Sequence, residues 1–249
     1  MNKKKTKTIG ILGGMGPEAT ARFFELIIKN TVAKQDQEHL KIIVYNNPQT
    51  PDRTKAILYG GENPLPSLIN GLKILEKAGA EICAMPCMTA HYFFPSLEKK
   101  TRLQLVHLIR ETANYLKKTY PQVKKVGLLA TTGTIATKIF HLPLEKKGLQ
   151  VLTPLETEGQ MVMEAIYGPK GIKAGFSRGR TKRLLRQVAQ KLISRGAEAI
   201  IAGCTEVPLA LGEEDLSVPL VDPMVIGARV LIKKSGGALK HPDFLTNSQ

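Results

Sequence analysis

Two cysteines end apolar segments of the chain and stand next to small polar residues. Cys87 lies in AMPCMTAH, residues 84–91, and Cys204 lies in AGCTE, residues 202–206. A buried thiol can fill a core, whereas a thiolate can bind a metal or move a proton. A helix that begins just after a cysteine can lower the pKa of its thiol, because free N–H groups and the helix dipole stabilise the anion. Cys87 and Cys204 are therefore candidate catalytic residues.

The chain contains an internal repeat. KTIGILGGMGPEAT (7–20) resembles KKVGLLATTGTIAT (124–137), and GAEICAMPC (79–87) resembles GAEAIIAGC (196–204). Both pairs share one offset, since 127 − 10 and 204 − 87 are each 117. Two distant matches at one offset indicate two copies of one structural unit, each with a cysteine at the end of a strand.

The hydrophobic pattern predicts an α/β fold. Short β-branched runs alternate with helical stretches of about 10 to 20 residues, which is typical of βαβ units around a parallel sheet. We predict two similar pseudo-symmetric lobes, each a parallel sheet flanked by helices, with the active site in the cleft between them. The N-terminal lobe would comprise residues 1–115 with Cys87, and the C-terminal lobe residues 116–225 with Cys204. Residues 226–249 would form a helix and tail that can pack back on the N-terminal lobe.

Two opposed thiols suit a proton transfer that inverts a carbon centre. Ligands bind at the carboxyl ends of parallel strands, so Cys87 and Cys204 are expected to face one another across the cleft. A thiolate on one side removes a proton, and a thiol on the other side delivers one to the opposite face. The repeat therefore predicts an amino-acid racemase that needs neither a metal nor an organic cofactor.

Other chemistries fit these residues less well. Cys87 and His91 are spaced as a possible zinc pair, but the other histidines are too scattered to supply further ligands, so we expect no metal. His91 is assigned a hydrogen-bonding, thiolate-stabilising or structural role, and Cys83 a role in core packing. GGMGPEAT departs from the dinucleotide motif G-x-G-x-x-G, and a tight turn that approaches a small anion explains it equally well. No residue identifies a Schiff-base lysine for pyridoxal phosphate.

The net charge of +15 is concentrated in residues 170–195, which hold nine Lys and Arg and no acid. Apolar residues recur within this segment at helical spacing, at Leu184, Leu185, Val188, Leu192 and Ile193. We therefore predict an amphipathic helix with a solvated basic face, and no nucleic-acid partner, since no aromatic stacking platform is present. The chain lacks a run of ~18 apolar residues, and three sparse cysteines are typical of a reducing compartment. A cytoplasmic protein without a membrane segment is expected.

Several motifs resemble those of the aspartate/glutamate racemase family, and most closely its aspartate racemase branch. They are IGILGGMGP, NNPQTPDRT, MPCMTAH, LLATTGT, AGCTEVPL and VPLVDPM, spread over residues 7–232. The resemblance implies a pyridoxal-phosphate-independent racemase with two α/β lobes, an active site between them and catalytic cysteines at positions 87 and 204. It also implies a homodimer and a small acidic amino acid as the substrate.

The resemblance assigns binding residues as well. Gln49 and Arg53 match substrate-binding positions, and the Arg53 guanidinium suits a side-chain carboxylate. Thr89 resembles a residue that holds the α-carboxylate and ammonium groups, Lys173 in GIKAG matches an assisting lysine, and Met15 would line the pocket.

Residues beside the two cysteines complete the candidate site. Thr205 and Glu206 follow Cys204, and Glu206 could tune that thiol, accept a hydrogen bond from the substrate ammonium or cap a helix. The family usually reads Cys-Asn-Thr where this chain has Met88 after its first cysteine, so a thioether replaces an amide that contacts the amino acid. A lost positioning hydrogen bond costs on the order of 1 to 3 kcal/mol. We therefore predict an aspartate racemase, with a broad-specificity or glutamate racemase, or an amino-acid-binding protein with weakened catalysis, as alternatives.

Overall fold

The computed structural model describes residues 6–240, and within them the chain forms two parallel four-stranded sheets. The first contains β1 (Ile9–Gly13), β2 (Ile42–Asn46), β3 (Ile82–Ala84) and β4 (Gln104–Val106), and the second contains β5 (Lys125–Leu129), β6 (Gln150–Leu152), β7 (Ala199–Ala202) and β8 (Leu220–Val221). The strand orders are β2-β1-β3-β4 and β6-β5-β7-β8. Because the two orders are equivalent, the predicted α/β fold of two similar lobes is confirmed.

The register of the strands follows the sequence repeat. Ile9 lies opposite Ile82 in the first sheet, and Val126 lies opposite Ala199 in the second. The offset is again 117, since 126 − 9 and 199 − 82 both give that value. Register decides which face of a sheet each side chain occupies, so the repeat preserves the direction of the side chains as well as the order of the strands.

Helices connect the strands and pack against both sheets. The first lobe contains α1 (Pro17–Asn30), α2 (Arg53–Leu58), α3 (Leu65–Lys77), α4 (Phe94–Glu98) and α5 (Leu108–Thr119). They are followed by α6 (Thr132–Ala136), α7 (His141–Glu145), α8 (Glu156–Tyr167), α9 (Arg180–Ser194), α10 (Val207–Ala210) and α11 (Pro223–Ser235). Short 3-10 helices cover Asp36–Glu38, Thr89–Phe93, Ile172–Ala174 and Glu213–Asp215. The proline at the start of α1 and of α11 suits a first turn, where its missing N–H costs no hydrogen bond.

The two sheets share one hydrophobic cluster. Ile9 and Ile11 of β1 belong to it together with Val126 and Leu128 of β5, so the cluster joins the lobes. The opposite faces pack separately, against α3 and α4 in the first lobe and against α8 and α9 in the second. Cys83 lies in the first of these outer clusters, where burial raises its pKa to about 12, as suits a packing residue. The shared cluster holds the carboxyl ends of the two sheets in a fixed relation.

The last described helix packs on the first lobe. α11 lies against α1 and α5, and Asp222 at its start forms an ion pair with Arg22 of α1 at 2.8 Å. The Lys7 N–H donates to the Ser235 carbonyl at the end of α11, at 2.8 Å. The boundary placed after residue 225 falls within α11, and residues 241–249 of the expected tail lie outside the described part. The division of the chain at residues 115 and 225 stays a prediction.

The part of the basic segment that lies in α9 is an amphipathic helix with an exposed basic face, as predicted, whereas Lys173 lies before this helix and pairs with Glu206. Leu185, Val188 and Leu192 of α9 are buried in the second lobe, while its basic side chains lie on the outside. Lys182 pairs with Asp215 at 2.8 Å, so part of the charge is compensated locally. Within residues 6–240, the helices are all too short or too polar to cross a membrane.

Candidate active site

Both cysteines directly follow a strand in their own lobe. Cys87 comes after β3 and Cys204 after β7, and the two residues are 5% and 7% exposed. Neither forms a disulfide. The lowered pKa expected from a following helix is not found at Cys204, because burial and the nearby Glu206 carboxylate raise the pKa of its thiol well above the ordinary value. The helix that follows, α10, has only four residues, and its dipole does not offset these two effects.

A cavity of about 630 Å³ lies between the lobes. The first lobe lines it with the turn at residues 14–18 and with Arg53, and the second lobe with Tyr167, Lys173 and Glu206. Of the predicted site residues, the structure thus brings together Met15, Arg53, Lys173 and Glu206 on its walls. The walls carry both charges, which suits a zwitterionic ligand with an additional carboxylate.

Glu206 links Cys204 to Lys173. The Cys204 thiol donates to Glu206 Oε2 at 2.9 Å, and Lys173 Nζ donates to Oε1 at 2.7 Å. The Thr205 hydroxyl also donates to Oε2, at 3.0 Å. Burial raises the pKa of Glu206, but Lys173 and these hydrogen bonds hold the pKa of that carboxyl below its ordinary value. Glu206 is therefore an ionised acceptor that keeps Cys204 protonated, and its side chain caps no helix.

Lys173 and Tyr167 interact electrostatically with both cysteines. Burial lowers the pKa of Lys173, but Glu206, Cys204 and Cys87 together raise that pKa above its ordinary value. Burial raises the pKa of Tyr167, and Cys204 and Cys87 raise it further. Lys173 and Tyr167 therefore lie close enough to both cysteines to feel their charge. Sequence reasoning missed Tyr167, since a tyrosine at the end of a helix carries no distinctive spacing.

Arg53 is a buried cation beside Cys87. Its NH1 donates to the carbonyls of Thr50 and Pro51 at 3.0 Å each, and its NH2 donates to the Met15 carbonyl at 3.2 Å. Burial lowers the pKa of Arg53, but Cys87 and other nearby groups raise it above its ordinary value. The Nε atom is buried and finds no hydrogen-bond partner in the described chain. The guanidinium edge that carries Nε is therefore available to a carboxylate.

His91 holds the backbone of Cys87. Its Nε2 accepts from the Leu108 N–H at 3.2 Å, so its Nδ1 carries the proton and donates to the Cys87 carbonyl at 2.9 Å. Burial lowers the pKa of His91 to about 4, which keeps the ring neutral. Both ring nitrogens are occupied, and in residues 6–240 no group of three or more His, Cys, Asp or Glu is placed to hold a metal.

Six of the ten predicted site residues are not part of the cavity lining: Cys87, Cys204, Thr205, Thr89, Met88 and Gln49. The Thr89 hydroxyl is hydrogen-bonded across the lobe interface to Thr131 and Thr134, at 3.1 and 2.9 Å. Met88 is 2% exposed and packs in the shared hydrophobic cluster, so its thioether lies in an apolar environment. Gln49 is exposed, and the cavity is lined by the residues on either side of it.

The close approach of the lobes depends on two glycines related by the repeat. The Thr20 hydroxyl donates to the Gly16 carbonyl at 2.8 Å, and the Thr137 hydroxyl donates to the Gly133 carbonyl at the same distance. A Cβ on Gly16 would lie 3.1 Å from Glu206 Oε1 in the other lobe. A Cβ on Gly133 would lie 2.8 Å from Thr54 Oγ1 in the first lobe. Each glycine thus contacts the opposite lobe closely because it has no side chain.

The chain is similar to amino-acid racemases over most of its length. A family model described as Asp/Glu/Hydantoin racemase matches residues 12–231. The structure of the Picrophilus torridus aspartate racemase matches with a TM-score of 0.84 and 31% identity, covering 94% of this chain and 96% of that one. An aspartate racemase homologue from Pyrococcus horikoshii OT3 matches with a TM-score of 0.73 and 30% identity, covering 92% and 99%. The broad specificity amino-acid racemase RacX of Bacillus subtilis (strain 168) is 28% identical over 220 residues, covering 86% of this chain and 92% of RacX.

Proposed function

We propose a specific reaction for this chain, which belongs to the Asp/Glu/hydantoin racemase family and is an isomerase of the amino-acid racemase type. In this reaction L- and D-aspartate are interconverted by proton transfer between the α-carbon and the thiols of Cys87 and Cys204. The main support is one observation: Glu206, on the cavity wall, accepts hydrogen bonds from both Cys204 and Lys173. No organic cofactor and no metal takes part in the proposed steps.

The two thiols have different neighbours and are assigned different roles. Cys204 donates a hydrogen bond to Glu206, so it starts as the acid. Cys87 has the Arg53 guanidinium beside it and starts as the base. The Cys87 thiolate takes the α-proton, and the electron pair stays on the α-carbon and its carboxylate. Cys204 then gives its proton to the opposite face, which inverts the centre and leaves a thiolate near Lys173.

Binding of the substrate depends on Arg53 and Lys173. The Nε edge of Arg53 is the proposed partner of the side-chain carboxylate, because it is buried and without a partner in the described residues. Lys173 is held by Glu206 at the cavity wall and stabilises negative charge on either thiol. We also propose that the chain forms a homodimer and that it is located in the cytoplasm.

A wider substrate range is the second candidate. Met88 packs in the shared cluster and offers no donor to the amino acid, so one contact that would select a substrate is missing. RacX, a relative, carries the description of a broad specificity racemase. The missing contact at Met88 is equally compatible with a glutamate racemase of the same fold.

The proposal is tested by incubating each enantiomer of aspartate with the enzyme and separating the products by chiral chromatography. The wild type is expected to racemise both, and Cys87→Ala and Cys204→Ala are expected to lose at least ~100-fold in rate, since each removes an acid/base group. Cys83→Ala is the matched control, because Cys83 lies within β3 and is fully buried. Racemisation that survives in either Cys87→Ala or Cys204→Ala contradicts the mechanism.

Turnover of other amino acids, together with measurements of aspartate binding and α-proton exchange, separates the alternatives. Faster turnover of glutamate or of neutral amino acids than of aspartate would favour broad specificity. Binding of aspartate without any exchange of its α-proton would instead indicate a protein with weakened catalysis.

A further inference from the structure

A second cavity, of about 640 Å³, shares no lining residue with the candidate active site. One wall consists of α5 and the 3-10 helix Thr89–Phe93, which belong to the first lobe. The other wall consists of α7 and the residues just before and just after it, which belong to the second lobe. A molecule bound there would touch both lobes. We call this space the basic cavity.

The charged residues that line the basic cavity are all positive. Arg110, Lys138, Lys146 and Lys147 line it, and no Asp or Glu does. Within residues 6–240, none of these cations forms an ion pair. The candidate active site, in contrast, contains Glu206 and other carboxylates beside its cations. A concentration of uncompensated positive charge in a concave space attracts an anion.

The wall between the cations is apolar. Leu142 is 59% exposed and Tyr92 is 49% exposed, and both line the basic cavity next to Ile139 and Pro143. Exposed apolar side chains grouped in a concavity are a usual sign of a binding site. The volume lies within the ~300 to 1,000 Å³ of small-molecule sites. The lining therefore suits an anion that carries an apolar or aromatic body.

Both walls connect to the candidate active site by hydrogen bonds. The His91 ring lines the basic cavity and donates to the Cys87 carbonyl at 2.9 Å. On the other wall, the Thr137 hydroxyl donates to the Gly133 carbonyl at 2.8 Å, and Gly133 lies against Thr54, next to Arg53. A ligand that contacts both walls would favour one arrangement of the lobes over others.

We propose that the basic cavity is a binding site for a small organic anion with an apolar body, and that the bound anion bridges the two lobes. This inference does not depend on which amino acid is racemised. It adds a second ligand to a chain whose proposed reaction needs only the substrate.

The fluorescent probe 8-anilinonaphthalene-1-sulfonate combines a negative charge with aromatic rings and is used as the ligand in a titration. The wild type is expected to bind it saturably. Lys146→Gln with Lys147→Gln is expected to weaken binding about 10-fold, because two of the four cations are removed. The matched control is Lys99→Gln with Lys100→Gln, since this exposed pair also follows Leu-Glu at the end of a short helix but does not line the basic cavity. Equal weakening by both double variants, or no saturable binding to the wild type, would overturn the proposal.

Competition separates the basic cavity from the active site. Phenyl phosphate is expected to displace the probe at about 10-fold lower concentration than inorganic phosphate, because only the former has an apolar body. Saturating aspartate is expected to leave the probe bound. Displacement by aspartate, or equal competition by the two phosphates, would contradict the binding site proposed for the basic cavity. Neither result would bear on the proposed racemisation.

Hydrogen exchange then tests the bridging. The bound probe is expected to slow amide exchange in residues 107–114 and in residues 137–147, which lie in different lobes. Protection confined to one of these segments, or to the turn at residues 14–18, would show that the probe does not bridge the lobes.

Discussion

Two residues at equivalent positions of the repeat give the cysteines different surroundings. Thr89 and Glu206 are related by the offset, since 206 − 89 is 117. Thr89 turns to the threonines of the opposite lobe, whereas Glu206 accepts a hydrogen bond from Cys204. A carboxylate beside a thiol favours the protonated form. The pseudo-symmetry of the fold therefore does not extend to the side chains that surround its two thiols.

Replacement of Glu206 tests this difference. In Glu206→Gln the negative charge near Cys204 disappears, so the pKa of the Cys204 thiol is expected to fall from its raised value. Alkylation of Cys204 by iodoacetamide, followed against pH, should then reach its half-maximal rate at lower pH. Glu18→Gln is the control, because Glu18 lines the same cavity but is not among the groups that raise the pKa of Cys204. An unchanged pH profile in Glu206→Gln would contradict the role given to this carboxylate.

The elements that join the lobes are the ones that sequence patterns describe least well. α2, α6 and the 3-10 helix Thr89–Phe93 pack against one another across the interface. α2 has six residues, and the other two have five each. Such a helix completes fewer than two turns, so its apolar residues cannot show a 3.6-residue period. The longer α1 and α9 complete about four turns, and their buried residues recur at helical spacing.

Substitution of Gly133 tests the contact between α6 and α2. In Gly133→Ala the new Cβ would lie 2.8 Å from Thr54 Oγ1 and 3.1 Å from Thr54 Cα, so backbone has to move. We expect the free energy of unfolding in urea to fall by about 1 to 3 kcal/mol, the usual cost of overpacking.

A second helical glycine supplies the control. A Cβ on Gly159 in α8 would meet no neighbouring atom within 4 Å, and Gly159→Ala is expected to gain up to ~1 kcal/mol from helix propensity. Similar effects of the two substitutions would mean that the lobes do not meet at Gly133 as described.

At the scale of the whole molecule, the repeat accounts for what the sequence predicted. It predicted two similar α/β units, each with a cysteine after a strand, because the same side chains must pack against the same sheet in each copy. It could not indicate that Met88 packs in the shared cluster or that Tyr167 lies near both thiols. These positions depend on how the lobes dock, and docking leaves no periodic signal in the chain.

Buried neutral histidines make the stability of the whole protein depend on pH. Burial lowers the pKa of His91 to about 4 and that of His107 to about 2. The unfolded chain takes up these protons near pH ~6.5, whereas the folded chain does not. The free energy of unfolding should therefore fall as the pH drops from about 6.5 towards 4, by up to about 1.4 kcal/mol per pH unit for each histidine.

His91→Gln tests the assignment. Urea denaturation at several pH values should give a shallower pH dependence in this variant than in the wild type, because one titrating group is lost. His39→Gln, at a partly exposed position next to the short helix Asp36–Glu38, is the control variant. An unchanged slope in His91→Gln would mean that the His91 ring is not held neutral in the folded protein.

The central claim is that two thiols act on opposite faces of one α-carbon, and isotope incorporation tests it directly. L-Aspartate is incubated with the enzyme in deuterium oxide, and both enantiomers are separated and analysed by mass spectrometry early in the reaction. We predict deuterium at the α-carbon of newly formed D-aspartate and almost none in the remaining L-aspartate, because one thiol removes the proton and a different thiol supplies the deuteron. Deuterium that enters the remaining L-aspartate as fast as the product would require a single base on one face, and the account would be wrong.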